Sequence, residues 1–452
     1  MTFLRGWTPR ERHAVIASYL GWSLDAFDYF VLVFVIPDVA ASFHASIPSV
    51  ALALTLTLAF RPLGAFIFGR LADRYGRRPV LVANIVLYSL FGFSTAFAPN
   101  LIVFFVIRSL FGVAMGGVWG VGASLAFETI ARDKRGFVSG LLQSGYATGY
   151  LVSSLVFGFL FAPLGWRGLF MVGVVPAIIL VWYIWSAVVE SPVHDRGQAS
   201  QISVPLLALQ VVGIATAGLL AYLAGAYFLF PNFGWYGVAL LVPAAAILAY
   251  FVSDYVRRHW KLMLYAVIMM TAFNFFSHGT QDIYPLFLQK QRGFDHATVS
   301  TIAVIYNVAA IAGGLTIGSL SQRLGRKRAS VATALASVPV AFLWAFSSTA
   351  ALLGLGAILM QFAVQGAWGV VPAHLNEISP KGERGTFPGT VYQLGNLIAS
   401  VNAVLQTSIA ERTGGNYALA LALVAIVSAL VIALFMGLGP QAPDVEMGKA
   451  GL

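Results

Sequence analysis

Long apolar runs alternate along the chain with short breaks that carry charge, glycine or proline, and this coarse pattern sets the class before any single residue is considered. A helix that crosses a bilayer core needs about 20 mostly apolar residues. Runs of that length predict spans near 14–37, 48–70, 79–98, 101–124, 137–161 and 167–189, then six more near 261–288, 297–320, 328–347, 349–373, 386–410 and 416–437. Two further apolar stretches, 203–230 and 235–255, lie between these sets and are split by Pro231, Asn232 and Gly234. The pattern predicts an all-α polytopic membrane protein with about 14 transmembrane helices. Its parts would be an N-terminal six-helix half over 1–200, an inserted helix pair over 201–258, a C-terminal six-helix half over 259–440 and a tail over 441–452.

Composition supports this class. Of 452 residues, 59% are apolar and only 10% are charged, against roughly 25% charged in a soluble domain. Without cysteine there is no disulfide framework and no thiolate for a metal or a nucleophile. The 27 Lys and Arg outnumber the 17 Asp and Glu, but their placement explains the excess. Breaks on one side of the layout hold 21 of them and breaks on the other side hold four, while Arg61 and Arg108 fall inside spans. Basic loops mark the cytoplasmic side, so both termini are expected inside and the insert must cross an even number of times. Nucleic-acid binding is then not needed to account for the charge. The start carries Arg5, Arg10 and Arg12 and lacks a small-residue cleavage pattern, which predicts a retained first span. There is no His-Glu-x-x-His cluster and no nucleophile elbow, so neither an enzyme nor a cofactor is expected.

The two halves share a repeat. Gly69, Leu71, Gly76, Arg77 and Arg78 return as Gly318, Leu320, Gly325, Arg326 and Lys327, each 249 positions later, and Glu128, Arg135 and Gly136 return as Glu377, Arg384 and Gly385 at the same offset. The stretch Gly69-Arg-Leu-Ala-Asp73-Arg74-Tyr-Gly76-Arg77-Arg78, its degenerate second copy and Arg108-Ser-Leu-Phe-Gly112 together resemble the major facilitator superfamily over essentially the whole chain. The resemblance implies two six-helix halves that alternate access to a central site. Asp73 can meet the positive end of a neighbouring helix while Arg74, Arg77 and Arg78 pair with acids or lipid phosphates, latching one state. Gln322 replaces the Asp in the second copy, so a weaker latch is expected there. Glu128, Arg135, Glu377 and Arg384 are expected to gate at span ends.

Ionisable residues inside spans are functional candidates by default, because each costs several kcal/mol unless paired or wetted. Asp25 and Asp28 stand at i and i+3, on one face of the first span, and suit a proton-carrying site. Arg108 is the expected counter-charge of Asp28, as its matched position is in related symporters of the superfamily. In the seventh span of the superfamily's scheme, Asn274, Ser277, His278, Gln281 and Asp282 share one helix face opposite Phe275, Phe276 and Ile283, so that face should line a central cavity. His278 and Asp282 are proton-coupling candidates.

This polar stripe resembles the lactate permease motif of the sialate and lactate proton-symporter branch, with Leu286 standing where that motif ends in Thr. Thr57-Leu-Ala-Phe-Arg61-Pro62-Leu-Gly64 is similar to the same branch, and the resemblance assigns Arg61 to the substrate carboxylate, whose shape its planar fork fits. Gln143, Tyr146, Tyr392 and Gln393 are further candidates for substrate contact. The expected partners are a small organic anion, protons and the lipid bilayer, with the chain acting as a monomer. Lactate or pyruvate is favoured by the span-7 motif, and sialic acid by the central helix pair.

Overall fold

A computed structural model of the chain describes residues 6–45, 47–192, 234–400 and 402–440. No strand occurs among the described residues. The first half comprises α1 (Pro9–Ser42), α2 (Ile47–Tyr75), α3 (Arg77–Thr95), α4 (Leu101–Gly116), α5 (Val118–Thr129), α6 (Arg135–Val172) and α7 (Val174–Ala187). The second comprises α8 (Gly234–Gln281), α9 (Tyr284–Lys290), α10 (His296–Leu324), α11 (Arg326–Phe346), α12 (Ala350–Trp368), α13 (Val371–Ile378), α14 (Phe387–Ala399), α15 (Asn402–Arg412) and α16 (Tyr417–Leu438). Among the described residues, nine helical stretches are long and apolar enough to cross a membrane.

Local chemistry sets the helix ends. Thr8 and Glu11 form a capping box ahead of α1, with Pro9 in the first turn. Pro163 and Gly165 break α6 where spans 5 and 6 were expected to part, and Gly165 adopts φ 60°, ψ −178°, a conformation essentially reserved for glycine. The span expected over 101–124 is divided at Gly117 into α4 and α5, and the one over 349–373 is divided at Gly369 into α12 and α13.

The stretches 235–255 and 261–288, expected as separate spans, lie on one helix: α8 runs unbroken for 48 residues, about 72 Å at 1.5 Å per residue. Arg257, Arg258 and Lys261 are good helix formers, and no Gly or Pro falls between Ile247 and Gly279, so charge alone does not end the helix. It stops only at Gln281, just before Pro285 opens α9. The span expected at 203–230 and the tail at 441–452 lie outside the described residues.

One core is built within the first half on Tyr88, Phe104 and Phe111, and a second, built on Phe273, Trp344 and Trp368, also takes in Trp22, Phe66 and Trp119 of the first half. Outward faces remain apolar. Phe159 is 77% and Trp182 69% exposed, as befits helices solvated by lipid rather than water. The halves meet where α6 crosses α10 and α2 crosses α14. Small residues permit the approach: a Cβ on Gly140 would lie 2.1 Å from the Gly314 carbonyl oxygen, closer than packed atoms can come. Close backbone contact through glycine is how helices associate tightly when lipid removes the hydrophobic drive.

Candidate functional site

At the end of the bundle that carries the repeated basic motifs, two charge clusters bridge the halves. Asp73, at the end of α2, accepts hydrogen bonds from the Gly385 N–H (2.8 Å), the Thr386 N–H (3.1 Å) and the Thr386 hydroxyl (2.6 Å), all in the second half at the start of α14. Its own half supplies Arg77 at 2.9 Å, which also pairs with Glu128 at 3.0 Å. The repeat builds the same device with a neutral side chain. The Gln322 amide oxygen accepts from the Gly136 N–H (3.2 Å) at the start of α6 and from Arg326 (2.8 Å), and Arg326 pairs with Glu377 at 3.0 Å. Each side chain thus meets the orphan N–H groups at the first turn of a helix in the other half.

Further contacts tighten this end. Gly69 lies so close to the second half that a Cβ there would fall 2.5 Å from Thr386 Cα. Gly76 turns the chain with φ 104°, and Glu190 caps α3 by accepting from the Arg77 N–H (2.8 Å) and the Arg78 N–H (3.0 Å). Arg78 donates to the Trp185 carbonyl, the Ser124 hydroxyl donates to the Arg384 carbonyl, and Arg74 lies over the Tyr75 ring. Arg135 and Arg384 are both buried. This end is closed.

Away from the latches, a cavity of about 390 Å³ opens between the halves, within the usual range of roughly 300–1,000 Å³ for small-molecule sites. The first half gives it Tyr29, Phe30, Tyr146 and Tyr150, and the second gives it His278, Gln281, Asp282, Tyr306, Asn307, Gln365 and Asn396. His278 Nδ1 lies 3.3 Å from Asp282, which is 40% exposed. Gln281 donates to Gln361 at 2.8 Å and Gln365 donates to Ser277 at 3.3 Å, so much of the polar stripe is braced by α12.

Behind the aromatic wall lies the principal charge pair. Arg61 is 2% exposed and reaches the fully buried Asp25 at 2.7 Å, while the other Asp25 oxygen has no hydrogen-bond partner among the described residues. The guanidinium sits 5.7 Å from the Trp22 ring, Trp22 stacks on Tyr146 at 5.6 Å, and both Tyr146 and Tyr29 lie within electrostatic reach of Arg61. The sequence admits either span-1 acid as the partner of Arg61, and the structure selects Asp25. Asp28 and Arg108 are both buried and electrostatically coupled, yet among the described residues no carboxylate comes within ion-pair distance of Arg108, which lies 4.0 Å over the Phe111 ring.

The remaining candidates are dispersed. Tyr392 packs against Trp119 at 4.7 Å and Trp368 at 5.8 Å. Asn274 donates to the Met270 carbonyl within its own helix. Gln143 and Gln393 are buried, and neither they nor Asn274 lines this cavity. Sequence reasoning missed the rings of Phe30, Tyr150 and Tyr306, which carry no charge signal and look like lipid-facing aromatics in a linear reading.

A model of the Major Facilitator Superfamily matches residues 18–281 and 264–451, more than half of the chain. The chain belongs to this superfamily. Its members are membrane carriers rather than enzymes, and the paired latches are the superfamily fold's two-fold repeat made visible. Among curated relatives, the chain is 26% identical over 415 residues to a carboxylic acid transporter protein homolog of Saccharomyces cerevisiae, covering 90% of this chain and 63% of that protein, less than two thirds of its length. It is 23% identical over 437 residues to the sialic acid transporter NanX of Escherichia coli, with 94% of each covered. Among solved structures, the human organic anion transporter MFSD10 superposes with a TM-score of 0.67 at 16% identity, covering 94% of this chain and all of that one, a likeness of fold.

Proposed function

We propose that this chain is a proton-coupled symporter of an organic monocarboxylate such as lactate or pyruvate, acting as a monomer by alternating access of its two halves. The observation that carries the reading is the buried Arg61–Asp25 pair behind the cavity wall. A guanidinium holds its charge in any pocket and presents a planar fork to one carboxylate. While Asp25 is ionised it occupies that fork. A proton on Asp25 releases the arginine for an incoming anion, whose charge the proton then balances, so the loaded carrier can reorient without moving net charge across the low-dielectric core. Substrate and proton are thereby made mutually dependent at one cation.

The basic end is taken as cytoplasmic, so the closed latches make the described state outward-facing, with His278 and Asp282 at the entrance. Release inside requires the Asp73 and Gln322 contacts to break and the cavity to close at the other end. The relatives that transport carboxylic acids and sialic acid support an anionic substrate. Sialic acid, or another larger sugar acid, is a second reading. The cavity of about 390 Å³ exceeds what a three-carbon acid fills, and Asn307, Gln365 and Asn396 supply amides for hydroxyl groups.

The test is uptake of labelled lactate and of labelled sialic acid into proteoliposomes, with an inward proton gradient on or off. The account expects gradient-driven accumulation of one acid and its loss in Arg61→Ala. Equal accumulation with and without the gradient would remove proton coupling from the account.

A further inference from the structure

The interior of the first half holds a second polar region that is not part of the cavity wall. On α3, Asn84 and Tyr88 stand one helical turn apart, and both are fully buried. Among the described residues neither amide atom of Asn84 has a hydrogen-bond partner, nor does any of the three guanidinium nitrogens of Arg108, and the Tyr88 hydroxyl has the neighbouring Ser89 side chain beside it. These groups adjoin one another. Arg108 lies over Phe111 at 4.0 Å, the Phe111 ring meets Tyr88 edge-on at 6.3 Å, and Tyr88 is within electrostatic reach of Asp28 and Asp25. Glycines flank Asp28: a Cβ on Gly173 would fall 2.6 Å from one carboxylate oxygen, and a Cβ on Gly92 would be 4.0 Å from the other. Asp28, Asn84, Tyr88 and Arg108 are all absent from the lining of the cavity.

Leaving one buried donor or acceptor unmet costs about 1–3 kcal/mol, and more for a charged group. Native interiors answer such needs with ordered water, each molecule making about three hydrogen bonds to polar walls. Asn84, Tyr88, Arg108 and Asp28 together supply donors and acceptors of both kinds, a set that water can satisfy and apolar packing cannot.

We propose that ordered waters join Asp28 and Arg108 to Tyr88 and Asn84, and that this internal relay, rather than the substrate cavity, is the route by which the first-helix carboxylates exchange their proton. The inference rests on the proton-coupled reading above. A proton leaving the Asp28 carboxyl passes to the neighbouring water, which gives up another in turn. The Tyr88 hydroxyl accepts one proton as it donates its own, so no group along the path ends with a changed charge. Asn84 cannot relay a proton; it orients the water at the end of the path nearer the latches, where its amide nitrogen lies against Gly117. The charged groups that face the relay are Asp25 and Asp28 from α1, Arg61 from α2 and Arg108 from α4. Arg108 raises the cost of an excess proton in its vicinity, which keeps the relay from leaking while Asp28 is protonated. Substrate can then fill the cavity without blocking the proton.

The experiment compares proton-driven accumulation with counterflow in proteoliposomes of wild type, Tyr88→Phe, Asn84→Leu, Asp28→Asn and Asp25→Asn. Counterflow exchanges substrate for substrate without net proton movement, and it also reports that a variant is folded. Tyr88→Phe and Asn84→Leu are expected to slow proton-driven accumulation about tenfold, the effect of one hydrogen bond lost along an ionic path, with counterflow unchanged. Wild-type accumulation in both, with coupling lost in Asp28→Asn, would overturn the relay and leave the coupling reading standing. Unaltered coupling in Asp28→Asn would overturn the relay, whereas the coupling reading, which puts the proton on Asp25, is overturned if Asp25→Asn leaves coupling unaltered. Equal loss of accumulation and counterflow in the α3 variants would overturn the relay in favour of a packing role.

Discussion

Replacing Asp73 by Asn tests the latch with little change in shape. In the closed arrangement Asp73 receives three hydrogen bonds from the second half and an ion pair from Arg77. Hydrogen bonds to a charged acceptor contribute about 1.5–3 kcal/mol each, and a carboxylate at a helix N-terminus adds roughly 0.3–1 kcal/mol, more where it is buried. Asn keeps one acceptor oxygen but turns an amide N–H toward a donor, so at least one such bond and the charge term disappear. The loss of about 3 kcal/mol from the closed state would shift the balance between states by roughly 150-fold. The native chain has no cysteine, so a single engineered Ser400→Cys at the cavity mouth can be alkylated without background. Its alkylation rate should fall as Asp73→Asn populates the state closed at that end. The neutral counterpart, Gln322→Ala, removes two weaker bonds and should shift the rate less. If Asp73→Asn leaves the rate unchanged, the contact with α14 does not hold the state.

Other consequences follow from close packing and backbone geometry. Gly140→Val should prevent closure at the latch end, because its Cβ would collide with the Gly314 carbonyl at 2.1 Å; loss of transport with increased labelling of a cysteine placed at that end is the expected readout. Gly165→Ala should lower the melting temperature in detergent, since φ 60° with ψ −178° costs a non-glycine residue about 1–3 kcal/mol, and an unchanged melting curve would contradict the bend at that point. Gln361→Leu should weaken substrate binding without altering proton dependence, because Gln361 braces Gln281 at 2.8 Å and donates to Thr280; a change in coupling instead would place Gln361 on the proton route.

How much of this was legible in the chain depends on whether the signal is local. The spans are, because lipid demands apolar runs of fixed length, and so is the repeat, whose 249-residue offset places Asp73 opposite Gln322 and Glu128 opposite Glu377 in paired latches. Intramembrane charge picked out Asp25, Asp28, Arg61 and Arg108. Which acid pairs with Arg61 was not legible, because positions i and i+3 share a face and the choice depends on how α2 lies against α1. The continuity of α8 was hidden by Arg257, Arg258 and Lys261, which read as a loop in a membrane pattern yet favour helix. The aromatic wall was equally hidden. A tyrosine such as Tyr306 is compatible with either lipid or cavity, and only the crossing of α6 over α10 decides which it meets.

The most direct test of the account is proton movement driven by substrate alone. With no imposed gradient, adding the transported anion outside proteoliposomes should acidify the lumen as proton and anion enter together, and Arg61→Ala should abolish the signal. Entry of labelled anion without acidification, or acidification that survives Arg61→Ala, would contradict the assignment of substrate and proton to the Arg61–Asp25 pair.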